Sequence, residues 1–296
     1  MTIQILLFAI FFFILSVKKP STAIFLLFLL LPTYLIRFTI FGLPSTLLEV
    51  MILTIAAATV FSFKHDKQRL FYPFRILTKK QNQTVFIGLI CIVLGATINI
   101  FVGNNIIAAL GIWRAFFIEP LLLFYTLLVL SKHIDIKKYI LNGLFVGAAV
   151  TSTLSIYQHF TGFMVPHAFW ANRDTYRVTG WWGFPNGVGM YLAPITLLAI
   201  GSFLKQKKLS YIILIGAAMA SIVFAKSTGA LIGVIAGLLV YLIINKKTRI
   251  FTIVLSVIAF IILLLTPTDN LIKQELLMQD YSGQLRIEMW GETTQY

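Results

Sequence analysis

Apolar residues run along this chain in long, nearly uninterrupted stretches separated by short polar connections, without the strict alternation of barrel strands. A stretch of roughly 17 to 25 such residues is what a helix needs to cross a hydrocarbon layer ~30 Å thick. The pattern predicts ten helical spans, near 2–17, 21–41, 45–63, 84–102, 113–131, 139–160, 185–204, 209–225, 227–244 and 250–266. Inside such a layer each backbone amide needs a partner within the protein, and continuous apolar runs supply one only as helices. The expected fold class is therefore all-α, a polytopic integral membrane protein of about ten transmembrane helices. Residues 1–266 form its transmembrane domain, and 267–296 begin a large external loop. No stretch remains for a separate soluble domain.

Composition agrees: 59% of the 296 residues are hydrophobic and 11% are charged. The net charge of +14 invites a nucleic-acid reading, which the positions of the cations remove. Taking alternate connections as one side, seventeen of the twenty-four Lys and Arg fall together, at Lys18/Lys19, 64–80, 132–138, 205–208 and 246–249. By the positive-inside rule that side is cytoplasmic, and both the N-terminus and the C-terminal tail are extracytoplasmic. No basic residue precedes the first span and no small-residue cleavage site follows it, so it reads as an anchor and not a removable signal. Cys91, the single cysteine, lies mid-span, where a side chain facing lipid or a neighbouring helix is expected in place of redox or metal chemistry.

The inner loop from Lys64 to Gln83 mixes aromatic and basic residues in the way that suits an anionic inner leaflet. The outer connections are Gly103 to Ile112, Thr161 to Phe184, and the tail from Thr266. Gly229, Gly233 and Gly237 share one helix face and predict close approach of a neighbouring backbone, as do Gly143 and Gly147.

Charges near the hydrocarbon cost about 2.5 to 3.5 kcal/mol each at mid-depth, so each needs a partner or a purpose. Arg37 and Glu49 flank a short hairpin and are expected to close it as an ion pair. Arg114 and Glu119 are five residues apart, about 140° around an α-helix, so they are expected to reach different neighbours. Pro120 beside Glu119 frees a carbonyl, a combination that favours a cavity over lipid. Outward cations follow at Arg173, Arg177, Lys226 and Arg286, where the charge rule disfavours them. An anion on that side would account for them, and an arginine fork suits phosphate oxygens.

The segment RVTGWWGFPNGVGMYLAP from Arg177 combines a cation, two interfacial tryptophans (Trp181 and Trp182) and a helix start at Pro185 and Asn186. Asn186 or the turn before it is expected to cap that helix and leave its positive end facing an outer pocket. An aromatic belt with a turn is the plainer reading. AKST at Ala225 resembles the end of a phosphate loop but has alanine at both required glycine positions. No Asp-x-Asp, His-Glu-x-x-His or His/Cys cluster has ligand spacing, so no metal and no cofactor are expected. His167 is a possible base near neutral pH.

Three segments together resemble the O-antigen ligase and O-antigen polymerase superfamily. RVTGWWGFPNGVGMYLAP is similar to its Arg-x-x-Gly … Pro-Asn segment, STGALIG to its Ser-Arg-Gly-Ala helix opening, and SGQLRIEMW to its Arg-x-x-x-Trp entry to the external loop. The resemblance implies a bacterial inner-membrane glycosyltransferase that transfers or polymerises glycan from an undecaprenyl-diphosphate-linked donor, without metal. The acceptor would be a glycan, a lipid or a protein; membrane lipid is a further partner and nucleic acid is not. Arg177 and Arg286 would act as catalytic residues holding the diphosphate. Lys226, Ser227, Gly229, Trp181, Asn186, Arg114 and Glu119 complete the expected substrate-binding set. Thr228 stands where the family usually has arginine, and Lys226 is the residue to replace it. The family's loop goes on to a histidine and two more spans, so the chain is expected to be C-terminally truncated. Two other function classes fit the same charges, a transporter or flippase for a lipid-linked or anionic solute and a non-catalytic scaffold. Paired broken helices or an internal repeat would mark the transporter.

Overall fold

In the computed structural model, residues 2–40, 43–102, 105–172, 176–256 and 281–294 are described. The described residues are helical nearly throughout, with one two-stranded hairpin among them, and the chain divides into two compact units, Met1–Leu154 and Ser155–Tyr296.

The first unit opens with α1 (Thr2–Lys18) and α2 (Pro20–Leu29). A 3-10 turn at Leu31–Leu35 leads into the hairpin of β1 (Arg37–Ile40) and β2 (Leu43–Thr46), with Arg37 opposite Thr46. Helix α3 (Leu47–Phe63) follows directly, and Thr46 with Glu49 forms a reciprocal capping box at its start. Two short helices, α4 (Lys67–Leu70) and α5 (Tyr72–Leu77), occupy the basic loop. Next come α6 (Gln83–Val102), α7 (Ile106–Trp113), a π-helical turn over Arg114–Ile118, and α8 (Glu119–Ser131). The core packs α1 and α2 on α3 and α8, through Phe12, Ile24, Leu27, Met51, Ile55 and Leu130. Helix α9 (Ile136–Thr161) begins in this unit, and a Cβ on its Gly143 would lie 2.9 Å from the Phe28 Cβ of α2, the close approach that glycine predicts.

The second unit holds the end of α9, the one-turn α10 (Ala168–Ala171), α11 (Pro185–Gln206), α12 (Leu209–Phe224) and α13 (Thr228–Ile244). Helix α11 packs against both α12 and α13. Residues Tyr281–Thr293 are helical as well.

Among the described residues, four helices are long and apolar enough to cross a membrane: Lys80–Val102, Ile106–Ser131, Ile136–Thr161 and Pro185–Gln206. The other apolar helices, Ile3–Lys18, Pro20–Leu29, Leu47–Phe63, Leu209–Phe224 and Thr228–Ile244, run 10 to 17 residues. The helix expected over 21–41 is not continuous. Pro32 lies in the 3-10 turn and the hairpin takes over at Arg37, so the helical part, at ~1.5 Å per residue, covers about half the layer. The connection expected from Gly103 to Ile112 is corrected too, because Asn105 accepts from the Ala108 amide and starts a helix at Ile106. Most of the span expected at 250–266 lies outside the described residues.

Candidate functional site

The quoted segment from Arg177 and the turn between α12 and α13 meet in the second unit, and the backbone of that turn explains how. Helix α12 ends in a Schellman motif: the Lys226 amide donates to the Val223 carbonyl and the Ser227 amide to the Ile222 carbonyl, with Lys226 in the left-handed region (φ +46°). Three carbonyls then still need donors, and residues about fifty positions earlier provide them. The Val178 amide donates to the Phe224 carbonyl (3.3 Å), Arg177 Nε to the Ala225 carbonyl (2.8 Å) and Arg177 Nη2 to the Lys226 carbonyl (2.8 Å). The guanidinium thus sits at the negative end of α12, a favourable place for a cation.

Arg177 Nη2 also donates to Asn186 Oδ1 (3.1 Å), in the first turn of α11, and the guanidinium lies 5.1 Å from the Trp170 ring centre. That bond corrects the expected capping role of Asn186. Phe184 is the cap residue, no side chain caps the helix, and Pro185 occupies the first turn, where a missing amide costs nothing. Arg177, Asn186, Lys226 and Ser227 are therefore brought together. Ser227 is buried at the start of α13, the side chains of Lys226 and Asn186 are exposed, and Gly229 faces open space. Trp181 is exposed, whereas Trp182 is buried against Tyr191, so only one of the pair faces outward.

The loop carrying Arg177 is held by Gln158, a fully buried side chain of α9 that the sequence reading missed. Its Oε1 accepts from the Thr179 and Gly180 amides (3.2 and 2.9 Å), and its Nε2 donates to the Gly180 carbonyl (3.1 Å). Gly180 takes φ +56° there, a conformation that favours glycine. The Tyr176 hydroxyl donates to the Gln158 carbonyl, and burial pushes its pKa above the ordinary tyrosine value. A glutamine inside an apolar run was the available signal.

Close approach also falls elsewhere than expected. Gly229 and Gly233 have nothing near them, and of that triad Gly237 alone meets a neighbour, Leu197. The contact between α11 and α13 at this site depends on Gly189, whose Cβ would lie 2.7 Å from the Ala230 Cβ. His167 Nδ1 accepts from the Phe169 amide and starts the one-turn α10. Arg286 is exposed on the Tyr281–Thr293 helix, and among the described residues none accepts a hydrogen bond from it. Arg173 lies outside the described residues.

Arg114 and Glu119 belong to the first unit, where they contact each other. Arg114 Nε is 3.3 Å from Glu119 Oε1, and Arg114 Nη2 is 3.1 Å from Glu49 Oε2. The expectation that Arg114 and Glu119 face apart assumed α geometry. In the π turn the Glu119 amide donates to the Arg114 carbonyl, which stacks position i on i+5. The expected Arg37–Glu49 pair does not form: Arg37 is exposed, and backbone pairing closes the hairpin. Among the described residues no three His, Cys, Asp or Glu side chains gather to hold a metal. No protein-family model, curated protein or solved structure matches the chain.

Proposed function

We propose that the chain is a membrane glycosyltransferase of the O-antigen ligase and polymerase type, acting at the outer face of a bacterial inner membrane. One observation carries this reading. Arg177 is bonded to the Ala225 and Lys226 carbonyls just before STGALIG, and Gly189 of its own segment packs on Ser227 and Ala230, so two of the three segments that resemble the family form one locus. Around it lie the first turns of α11 and α13, the positive ends of their helix dipoles, and the exposed ammonium of Lys226. A lipid-linked diphosphate fits that chemistry. In this reading the acceptor hydroxyl attacks the anomeric carbon, the new C–O bond replaces the bond to the diphosphate, and a base takes the hydroxyl proton. Cations that neutralise the departing diphosphate supply the electrostatic stabilisation without metal. Arg177 holds the locus together and contributes charge, Lys226 meets the phosphate oxygens, Ser227 and Gly229 border them, and Arg286 joins from the tail. The finer topology belongs to the same proposal: about ten segments in the membrane, with the N-terminus and tail outside.

Lys226→Gly provides the test, because glycine keeps the left-handed backbone and the Schellman bonds while removing the ammonium. Binding of undecaprenyl diphosphate to the protein in lipid nanodiscs should weaken about tenfold, about 1.4 kcal/mol, with an unchanged melting temperature. Unchanged affinity would remove the site.

A further inference from the structure

The buried cluster of the first unit has a charge count that does not close. Glu49 and Glu119 are 6% and 7% exposed, in the first turns of α3 and α8, and Arg114 is the one cation between them. Neighbouring elements add no compensating charge at this end. Arg37 on β1 is exposed, Arg69 lies over Phe63 at the far end of α3 with Lys67 and Arg75 following it, and α6 and α7 carry no ionisable group other than Cys91. Lys18 ends α1, whose Phe13 packs on Phe61 near the same far end.

The two carboxyl groups converge on one guanidinium, Glu49 Oε2 at 3.1 Å from Nη2 and Glu119 Oε1 at 3.3 Å from Nε. Two ionised carboxylates buried there leave one negative charge without a cation, and a proton held between them removes it. We propose that Glu49, Arg114 and Glu119 form a proton-binding site, in which one proton bridges the two carboxyl groups and the guanidinium balances the remaining negative charge. The donor set fits a proton better than a metal ion. No third carboxylate, histidine or cysteine stands near it among the described residues, and the Pro44 carbonyl is already taken by Arg114 Nη2 at 2.6 Å. Glu49 Oε2 is likewise committed, to Arg114 and to the Thr46 amide of the capping box. The Arg114 side chain is 33% exposed, and a mainly apolar cleft of about 470 Å³ lined by Pro44, Asn105, Ile107, Gly111, Ile112 and Phe116 opens beside it. The bridging proton ties the first turn of α3 to the first turn of α8, and through Arg114 to the hairpin. Its release would leave one uncompensated negative charge among apolar helices.

Infrared spectroscopy of the purified protein in nanodiscs tests this. At neutral pH a protonated-carboxyl carbonyl band that shifts on deuterium exchange is expected, and Glu49→Gln or Glu119→Gln should each remove it. Each single variant keeps one carboxylate for one guanidinium, so its melting temperature should stay near that of the unaltered protein. The double variant strands Arg114 and should melt several degrees lower. Absence of the band at neutral pH overturns the proposal, as does a band that appears only when sodium is withdrawn. Single variants as unstable as the double variant overturn it too, since both carboxylates would then be needed in ionised form.

Discussion

Arg177 shows how one side chain can serve fold and site together. Its charge made it conspicuous in the sequence, but the groups it bonds, the last carbonyls of a helix about fifty residues later, are set by tertiary structure. Gln158 is the converse case: it carries no charge to flag it, yet it accepts from two buried amides of the Arg177 loop. Gln158→Leu would strand the Thr179 and Gly180 amides in an apolar setting at about 1 to 3 kcal/mol each. A loss of about 2 to 6 kcal/mol in reversible denaturation is expected, and Gln158→Glu, which keeps the acceptor oxygen, should lose less. Equal losses would mean that the carboxamide fills space and does not anchor the loop.

At the scale of elements, helices in long apolar runs were legible because lipid-facing backbone has no alternative, and α6, α9, α11, α12 and α13 lie within a few residues of their expected bounds. What escaped were departures from α geometry. Pro120 has no amide to donate, and the turn before it widens to π register, which moves Glu119 onto the face of Arg114. Nothing in the spacing of charges announces one extra residue per turn. Glycine spacing was an incomplete guide for a related reason: it shows where a backbone can approach and not where one does. Gly189→Ala would push a methyl into Ala230 and should cost about 1 to 3 kcal/mol, as overpacked interiors do. Gly233→Ala meets open space and should be neutral or stabilising by up to about 1 kcal/mol through helix propensity. Thermal midpoints of the two variants side by side check the assignment, and equal midpoints would refute it.

For the whole molecule, the proposed orientation rests on less than ten spans. The four helices long enough to cross a membrane have Lys and Arg twelve times at or beyond the ends facing one side, at 64–80, 132–138 and 205–208. The connection on the other side after α9 has two, Arg173 and Arg177. Four of the five shorter helices enter in pairs between basic stretches, α2 with α3 and α12 with α13, so whether a pair crosses fully or only dips leaves the sidedness of everything else unchanged, and α1 bears on the N-terminus alone. With Cys91→Ser as background, Lys67→Cys should react with an impermeant maleimide only after the membrane is opened. His167→Cys should react in intact cells. Inverted labelling would place the Arg177 locus on the cytoplasmic side, away from any extracytoplasmic lipid-linked donor, and the glycosyltransferase reading would fall with it.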